Sequence, residues 1–250
     1  MSRIRKPSVD EEKPNSTRRS PPTNWKLIER LLECKDIRVF YLWGPPGVGK
    51  TWSAFNIGCS DRGYYSVTLT EDTPANELRG HYLLKGNEMV WADGPFTRAL
   101  REGARLVINE ISRGNAETWS LLLPVAESPE TARLTLPTNE TIQPADGLQI
   151  VFTDNQPPDT LPDALQDRFE CQMRIGEPHP SALEMLSPSI RKAMEATNDL
   201  PEGRRVSIRA WLTIERLRAS LGLADACRGV FGEARGEEIY RAIRMAEMSQ

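Results

Sequence analysis

The chain has 250 residues, of which 39% are hydrophobic, 27% charged and 7% aromatic, which excludes disorder throughout and suits one globular unit or two small ones. A formal charge of −3 excludes any argument from charge alone for nucleic acid or an anionic membrane as partner. The longest apolar run, Val39 to Trp43, is far below the roughly 18 to 20 residues that cross a bilayer, and no apolar segment follows the basic amino terminus to make a secretory signal.

Residues 1–23 are rich in proline, serine and charge without a hydrophobic period, so they predict a flexible tail of charge +3. Residues 24–176 carry −6 and residues 177–250 sum to zero, which makes the expected folded core acidic. Asn24 is placed to cap a helix with Trp25, Ile28, Leu31 and Leu32 on one face. A short run of β formers follows, Arg38 to Trp43, then a glycine-rich loop and a helix. Further strands are expected at Tyr64 to Thr70, Arg105 to Ile111, Leu148 to Thr153 and Phe169 to Ile175, with helices at Pro95 to Glu102 and Ala116 to Glu127. The alternation predicts an α/β fold with a doubly wound parallel sheet. Two hairpins interrupt it, one turning at Lys85-Gly86-Asn87 and one at Pro137-Thr138-Asn139. After Pro178 only helical patterns remain: Ser181 to Thr197 broken at Pro188, Ser207 to Leu221, and Glu233 to Met248.

The four cysteines, Cys34, Cys59, Cys171 and Cys227, form no CxxC pair and have no histidine nearby, a pattern of free thiols in a reducing cytoplasm. His81 and His179 are isolated in the sequence, which points away from catalysis or metal binding.

The strongest signal is Gly44-Pro45-Pro46-Gly47-Val48-Gly49-Lys50-Thr51, a G-x-x-x-x-G-K-[ST] loop between an expected strand and an expected helix. Glycines let the backbone N–H groups of such a loop turn inward onto phosphate oxygens, Lys50 adds a point charge, and the Thr51 hydroxyl is placed for Mg²⁺. The expected ligand is a nucleoside triphosphate, with ATP and Mg²⁺ as cofactors. Trp52, next in line, is a packing residue or a platform for the base, as is Trp25. A phosphate-loop protein needs a second strand whose tip holds the metal and a carboxylate to activate water. The run Arg105 to Glu110 ends in Asn109 and Glu110, which makes Glu110 the candidate base and Asn109 a neutral metal-side residue.

With these residues in view the chain resembles the AAA+ ATPases, and within them the MoxR-like and dynein-related group. The resemblance is carried by the loop, by Val107-Ile108-Asn109-Glu110-Ile111-Ser112-Arg113, by Thr153-Asp154-Asn155-Gln156-Pro157, and by Leu161-Pro162-Asp163-Ala164-Leu165-Gln166-Asp167-Arg168-Phe169. It covers about residues 24–250. It implies that Asn155 is the polar sensor helping to place the attacking water, that Arg168 is a finger offered to a neighbouring subunit's γ-phosphate, and that Arg209, within Ser207-Ile208-Arg209, touches phosphate from a helical lid. The group carries an aspartate where Asn109 stands here, which bears on hydrolysis rate.

Local alternatives stand beside these roles: a turn for Asn155, an ion pair of Arg168 with Asp163 or Asp167, a solvated helix face for Arg209. The division implied is a tail (1–23), an α/β nucleotide-binding domain (24–176) and a helical lid domain (177–250). The resulting expectation is an ATPase that remodels an unidentified protein partner or adaptor as a ring, a hexamer by resemblance. The same run after Glu110 is also similar to restriction-type nucleotide-driven motors, which leaves nucleic acid as an alternative partner against the acidic core. A third reading is an ATP-gated scaffold that barely hydrolyses, because Asn109 replaces the aspartate.

Overall fold

A computed structural model describes residues 23–59, 61–198 and 205–248. In chain order its elements are α1 (Trp25–Glu33), β1 (Val39–Trp43), α2 (Lys50–Asn56), β2 (Tyr64–Thr68), α3 (Ala75–Arg79), β3 (Gly80–Lys85), β4 (Glu88–Asp93), α4 (Pro95–Glu102), β5 (Arg105–Asn109) and α5 (Ala116–Leu122). They continue with β6 (Leu134–Thr135), β7 (Thr141–Ile142), β8 (Gln149–Asp154), α6 (Asp163–Gln166), β9 (Cys171–Arg174), α7 (Pro180–Glu184), α8 (Pro188–Asn198), α9 (Ile208–Leu221), α10 (Leu223–Phe231) and α11 (Glu233–Met248).

The main sheet is parallel, in the order β2-β5-β8-β1-β9. Successive side chains of a strand point to opposite faces, so β1 sends Val39 and Tyr41 into one core and Phe40 and Leu42 into another. The first core lies under α4 and the loops around α5, and the second under α1 and α2. Trp43 pairs with Asp154 and Asn109 with Thr153, so the carboxyl ends of β1, β5 and β8 finish side by side. Open α/β sheets bind ligands beyond that edge.

The expected elements are all found, several with shorter bounds and others, such as Pro95–Glu102 and Glu233–Met248, with the expected ones. Strand β2 stops at Thr68 because the chain turns away, with the Thr70 N–H on Thr73 Oγ1 at 2.9 Å. Helix α5 ends at Leu122 instead of Glu127, two residues before Pro124, which has no N–H to continue it. Strand β9 begins at Cys171 because Phe169 still belongs to the preceding turn, its N–H on Gln166 O at 3.2 Å. Both hairpins form, β3 with β4 and β6 with β7. Helices α3, α6 and α10 were not expected: α3 and α6 are about one turn long, and α10 lies between Gly222 and Gly232, both at φ +79°.

After Pro178, helices α7 to α11 enclose a third core around Trp211, Ile190, Ile214, Cys227 and Ile243. The expected tail lies outside the described residues except for Thr23, whose hydroxyl accepts the N–H groups of Gly176 and Glu177 at 2.9 and 3.0 Å. Among the described residues no helix is long and apolar enough to cross a membrane.

Candidate functional site

The loop Gly44 to Gly49 leaves β1 and enters α2 at Lys50. Two of its glycines are required by close approach. A Cβ on Gly44 (φ +143°) would lie 2.0 Å from Ile175 O, and one on Gly47 (φ +76°) would lie 2.5 Å from Ser207 Cβ. Pro45 and Pro46 stiffen the first half of the loop, and Val48 anchors the second half by packing with α1 and β1. Lys50 is 7% exposed. Its ammonium donates to Gly44 O, Pro45 O and Asn155 Oδ1, each at 2.9 Å, so the cation stands inside the loop that it would share with phosphate. Burial pushes the Lys50 ammonium down to about 8, and Glu110 and Asp154 oppose that shift.

Thr51 Oγ1 donates to Asn109 Oδ1 at 2.9 Å, which joins the first turn of α2 to the tip of β5. Glu110 follows in the left-handed region (φ 57°), an unfavourable conformation for a glutamate, and its N–H is held by Thr153 O at 2.8 Å. Its carboxylate accepts from Asn155 Nδ2 at 3.2 and 3.3 Å and lies 3.5 Å from Arg113 Nε. Lys50, Asn155 and Glu110 therefore form one chain, with the amide of Asn155 between a cation and a carboxylate.

Asp154, one residue before Asn155, has a part in the site that the sequence motifs do not assign. It is 1% exposed and accepts from the Ser112 N–H, the Ser112 hydroxyl and the Gln156 N–H, at 2.6, 3.0 and 2.9 Å. This buried carboxylate pins the loop carrying Glu110 to the loop carrying Asn155. An acidic residue at a strand end followed by a turn signal was the available cue.

His179 is not isolated in the fold, in contrast to its place in the sequence. Its ring lies edge-on to Trp25 at 4.7 Å and tilted to Trp52 at 5.1 Å, and Nε2 is 2.8 Å from Glu29 Oε1. Tertiary packing brings α1, α2 and the start of α7 together there. Trp25 is buried with its indole N–H on Pro178 O, so it packs, whereas Trp52 is 46% exposed.

Arg209 is exposed in the first turn of α9, whose cap Ser207 lies against Gly47 of the loop. Arg168 stands elsewhere: its guanidinium is paired with Glu127 and with Asp167 Oδ2, the latter at 3.1 Å, and not with Asp163. The fold thus brings Gly44 to Thr51, Asn109, Glu110 and Asn155 into one site, sets Arg209 on the helix beside it, and leaves Arg168 bonded outside it.

Residues 40–169 match the family described as AAA domain (dynein-related subfamily). Protein NorQ of Paracoccus denitrificans is 31% identical over 201 residues, covering 77% of this chain and 65% of that protein. Denitrification regulatory protein NirQ of Pseudomonas aeruginosa is 31% identical over 115 residues, covering 46% of this chain and 44% of that protein. The chain thus spans less than two thirds of the length of these relatives. NtrX from Brucella abortus shares the fold with a TM-score of 0.54 at 18% identity, covering 78% of this chain and 50% of that one. Its complex with ADP gives a TM-score of 0.51 at 17% identity, over 77% and 48%. With a phosphate loop, a parallel sheet and a match over more than half its length, the chain belongs to the dynein-related subfamily of AAA domains, as a MoxR-like AAA+ ATPase.

Proposed function

We propose that the chain binds ATP with Mg²⁺ and hydrolyses it to ADP and phosphate to remodel a protein partner, working as a ring in which Arg168 serves a neighbouring site. The observation that carries this reading is the Lys50–Asn155–Glu110 chain, which sets a cation for phosphate and a carboxylate for water at the two ends of one amide. The donor set fits a hard divalent cation: Thr51 Oγ1 and Asn109 Oδ1 are 2.9 Å apart. Among the described residues there is no group of three or more His, Cys, Asp or Glu that could hold a metal ion. Mg²⁺ suits such a site because it keeps waters and shares phosphate oxygens, and when bound it neutralises charge building on the phosphates.

The residues divide the work. The loop and Lys50 bind the phosphates, Thr51 and Asn109 face the metal side, Glu110 takes a proton from water, and Asn155 orients that water. The helices after Pro178 act as a lid through Arg209, because Ser207 already touches Gly47. Arg168, bonded to Glu127 and Asp167, is available to a second copy once those bonds yield.

The test measures phosphate release with ATP, with GTP and with DNA added, and follows mass by light scattering. Turnover with Mg-ATP that is lost in Glu110→Gln while nucleotide still binds, together with assembly on ATP, supports the reading. Undiminished turnover in Glu110→Gln removes Glu110 as base. A chain that stays monomeric with ATP removes the ring, and stimulation by DNA replaces the protein partner with nucleic acid.

A further inference from the structure

Asn109 is 8% exposed, and both ends of its amide are engaged. Oδ1 accepts from Thr51 Oγ1 at 2.9 Å and from Thr153 Oγ1 at 2.8 Å, while Nδ2 donates to Ser66 Oγ at 3.1 Å and approaches Val67 O at 3.5 Å. A backbone carbonyl only accepts, so the NH₂ end belongs on the side of β2 and the oxygen on the side of Thr51. An amide has two unlike ends and must be aimed, whereas a carboxylate offers equivalent oxygens to either side. Strand β2 is an edge strand paired to β5 with Thr68 opposite Asn109. The pairing brings Ser66 within reach of the Asn109 amide, and no other side chain accepts from Nδ2 among the described residues.

We propose that Ser66 is a positioning residue for the metal side of the site: by accepting from Asn109 Nδ2 it holds the amide in the orientation that the Val67 carbonyl selects, with Oδ1 toward Thr51. The proposal rests on the reading of Thr51 and Asn109 as the metal side. It accounts for how a neutral asparagine serves at this position, and it assigns a role to an exposed serine far from the phosphate loop in sequence. Ser66 acts through Asn109.

The experiment titrates a fluorescent ADP analogue into the full chain with and without Mg²⁺, for the wild type, Ser66→Ala, Ser66→Thr, Asn109→Asp and the double variant Ser66→Ala/Asn109→Asp, with a thermal melt of each. Ser66→Ala is expected to cut the Mg²⁺-dependent gain in affinity by about three- to tenfold, the effect of one ordinary hydrogen bond, without changing metal-free binding. Ser66→Thr keeps a hydroxyl and restores the gain. In the Asn109→Asp background, replacing Ser66 has no further effect, because a carboxylate needs no aiming. An unchanged Mg²⁺-dependent gain in Ser66→Ala overturns the proposal, as does an equal loss in both backgrounds or an equal loss with and without metal. Failure of the wild type to bind the analogue at all overturns the reading of the nucleotide site itself.

Discussion

Lys50 Nζ lies 2.9 Å from Asn155 Oδ1, so the cation of the phosphate loop is held by the residue that also holds Glu110. Nucleotide phosphates would compete for that ammonium and leave Asn155 to orient water beside Glu110. Asn155→Ala is therefore expected to lower turnover by about a hundredfold with nucleotide affinity little changed, since it misplaces groups without removing a phosphate ligand. Steady-state turnover beside direct nucleotide titration checks this.

The depressed Lys50 titration gives a signed pH dependence. With its ammonium near 8, below the ordinary 10.5, Lys50 is charged in the free chain below about 8 and neutral above it. Between those values the unfolded chain binds more protons, so this residue's contribution makes folding stability rise as pH climbs from about 8 toward 10.5. Polyphosphate favours the charged form, so nucleotide binding above about 8 takes up a proton and affinity falls as pH rises. Calorimetry in buffers of different ionisation enthalpy reads the uptake, and Lys50→Ala abolishes it.

Arg168 tests the ring directly. Arg168→Ala is expected to bind nucleotide as the wild type does and to lose about a thousandfold in turnover, the scale of a lost arginine finger. Mixing Arg168→Ala with Glu110→Gln restores part of the activity, because some interfaces then combine an intact Glu110 with an intact Arg168. No recovery on mixing, with assembly confirmed by light scattering, removes Arg168 as a group acting in trans.

Arg105 stabilises the fold beneath the site. It is 1% exposed and donates to the carbonyls of Leu32, Ala54, Ile57 and Gly58 and to Gln149 Oε1, so it closes the carboxyl ends of α1 and α2. Burial lowers its pKa, yet five acceptors satisfy the guanidinium. Arg105→Met strands those carbonyls and is expected to cost about 2 to 4 kcal/mol in urea unfolding.

Gly47→Ala places a methyl group 2.5 Å from Ser207 Cβ at a φ of +76°. The expected result is weaker nucleotide binding together with faster hydrogen exchange in the first turn of α9, since the displaced cap is the one that holds Arg209 beside the loop. Exchange confined to the loop would show that the contact with α9 does not transmit.

Much of this was legible in the sequence because it is local. The phosphate loop is a contiguous motif, Asn24 and Ser207 cap helices three residues ahead, and Pro95 and Glu233 open helices at the expected residues. Shortfalls arose where local pattern competed with a distant partner or with a turn. Pro124 ended α5 early, paired glycines concealed α10, and His179 met Trp25, Trp52 and Glu29 only through packing.

The sequence by itself determined the loop, the strand that ends in Asn109 and Glu110, and the helical character after Pro178, because each depends on residues near one another in the chain. Tertiary structure alone decided that Asp154 pins two loops, that Arg168 pairs with Glu127, and that the Asn109 amide lies between Thr51 and Ser66. Those contacts join residues brought together by a parallel sheet, whose strands are neighbours in space only after long crossovers. Side-chain hydrogen bonds across such neighbours leave no periodicity in the sequence.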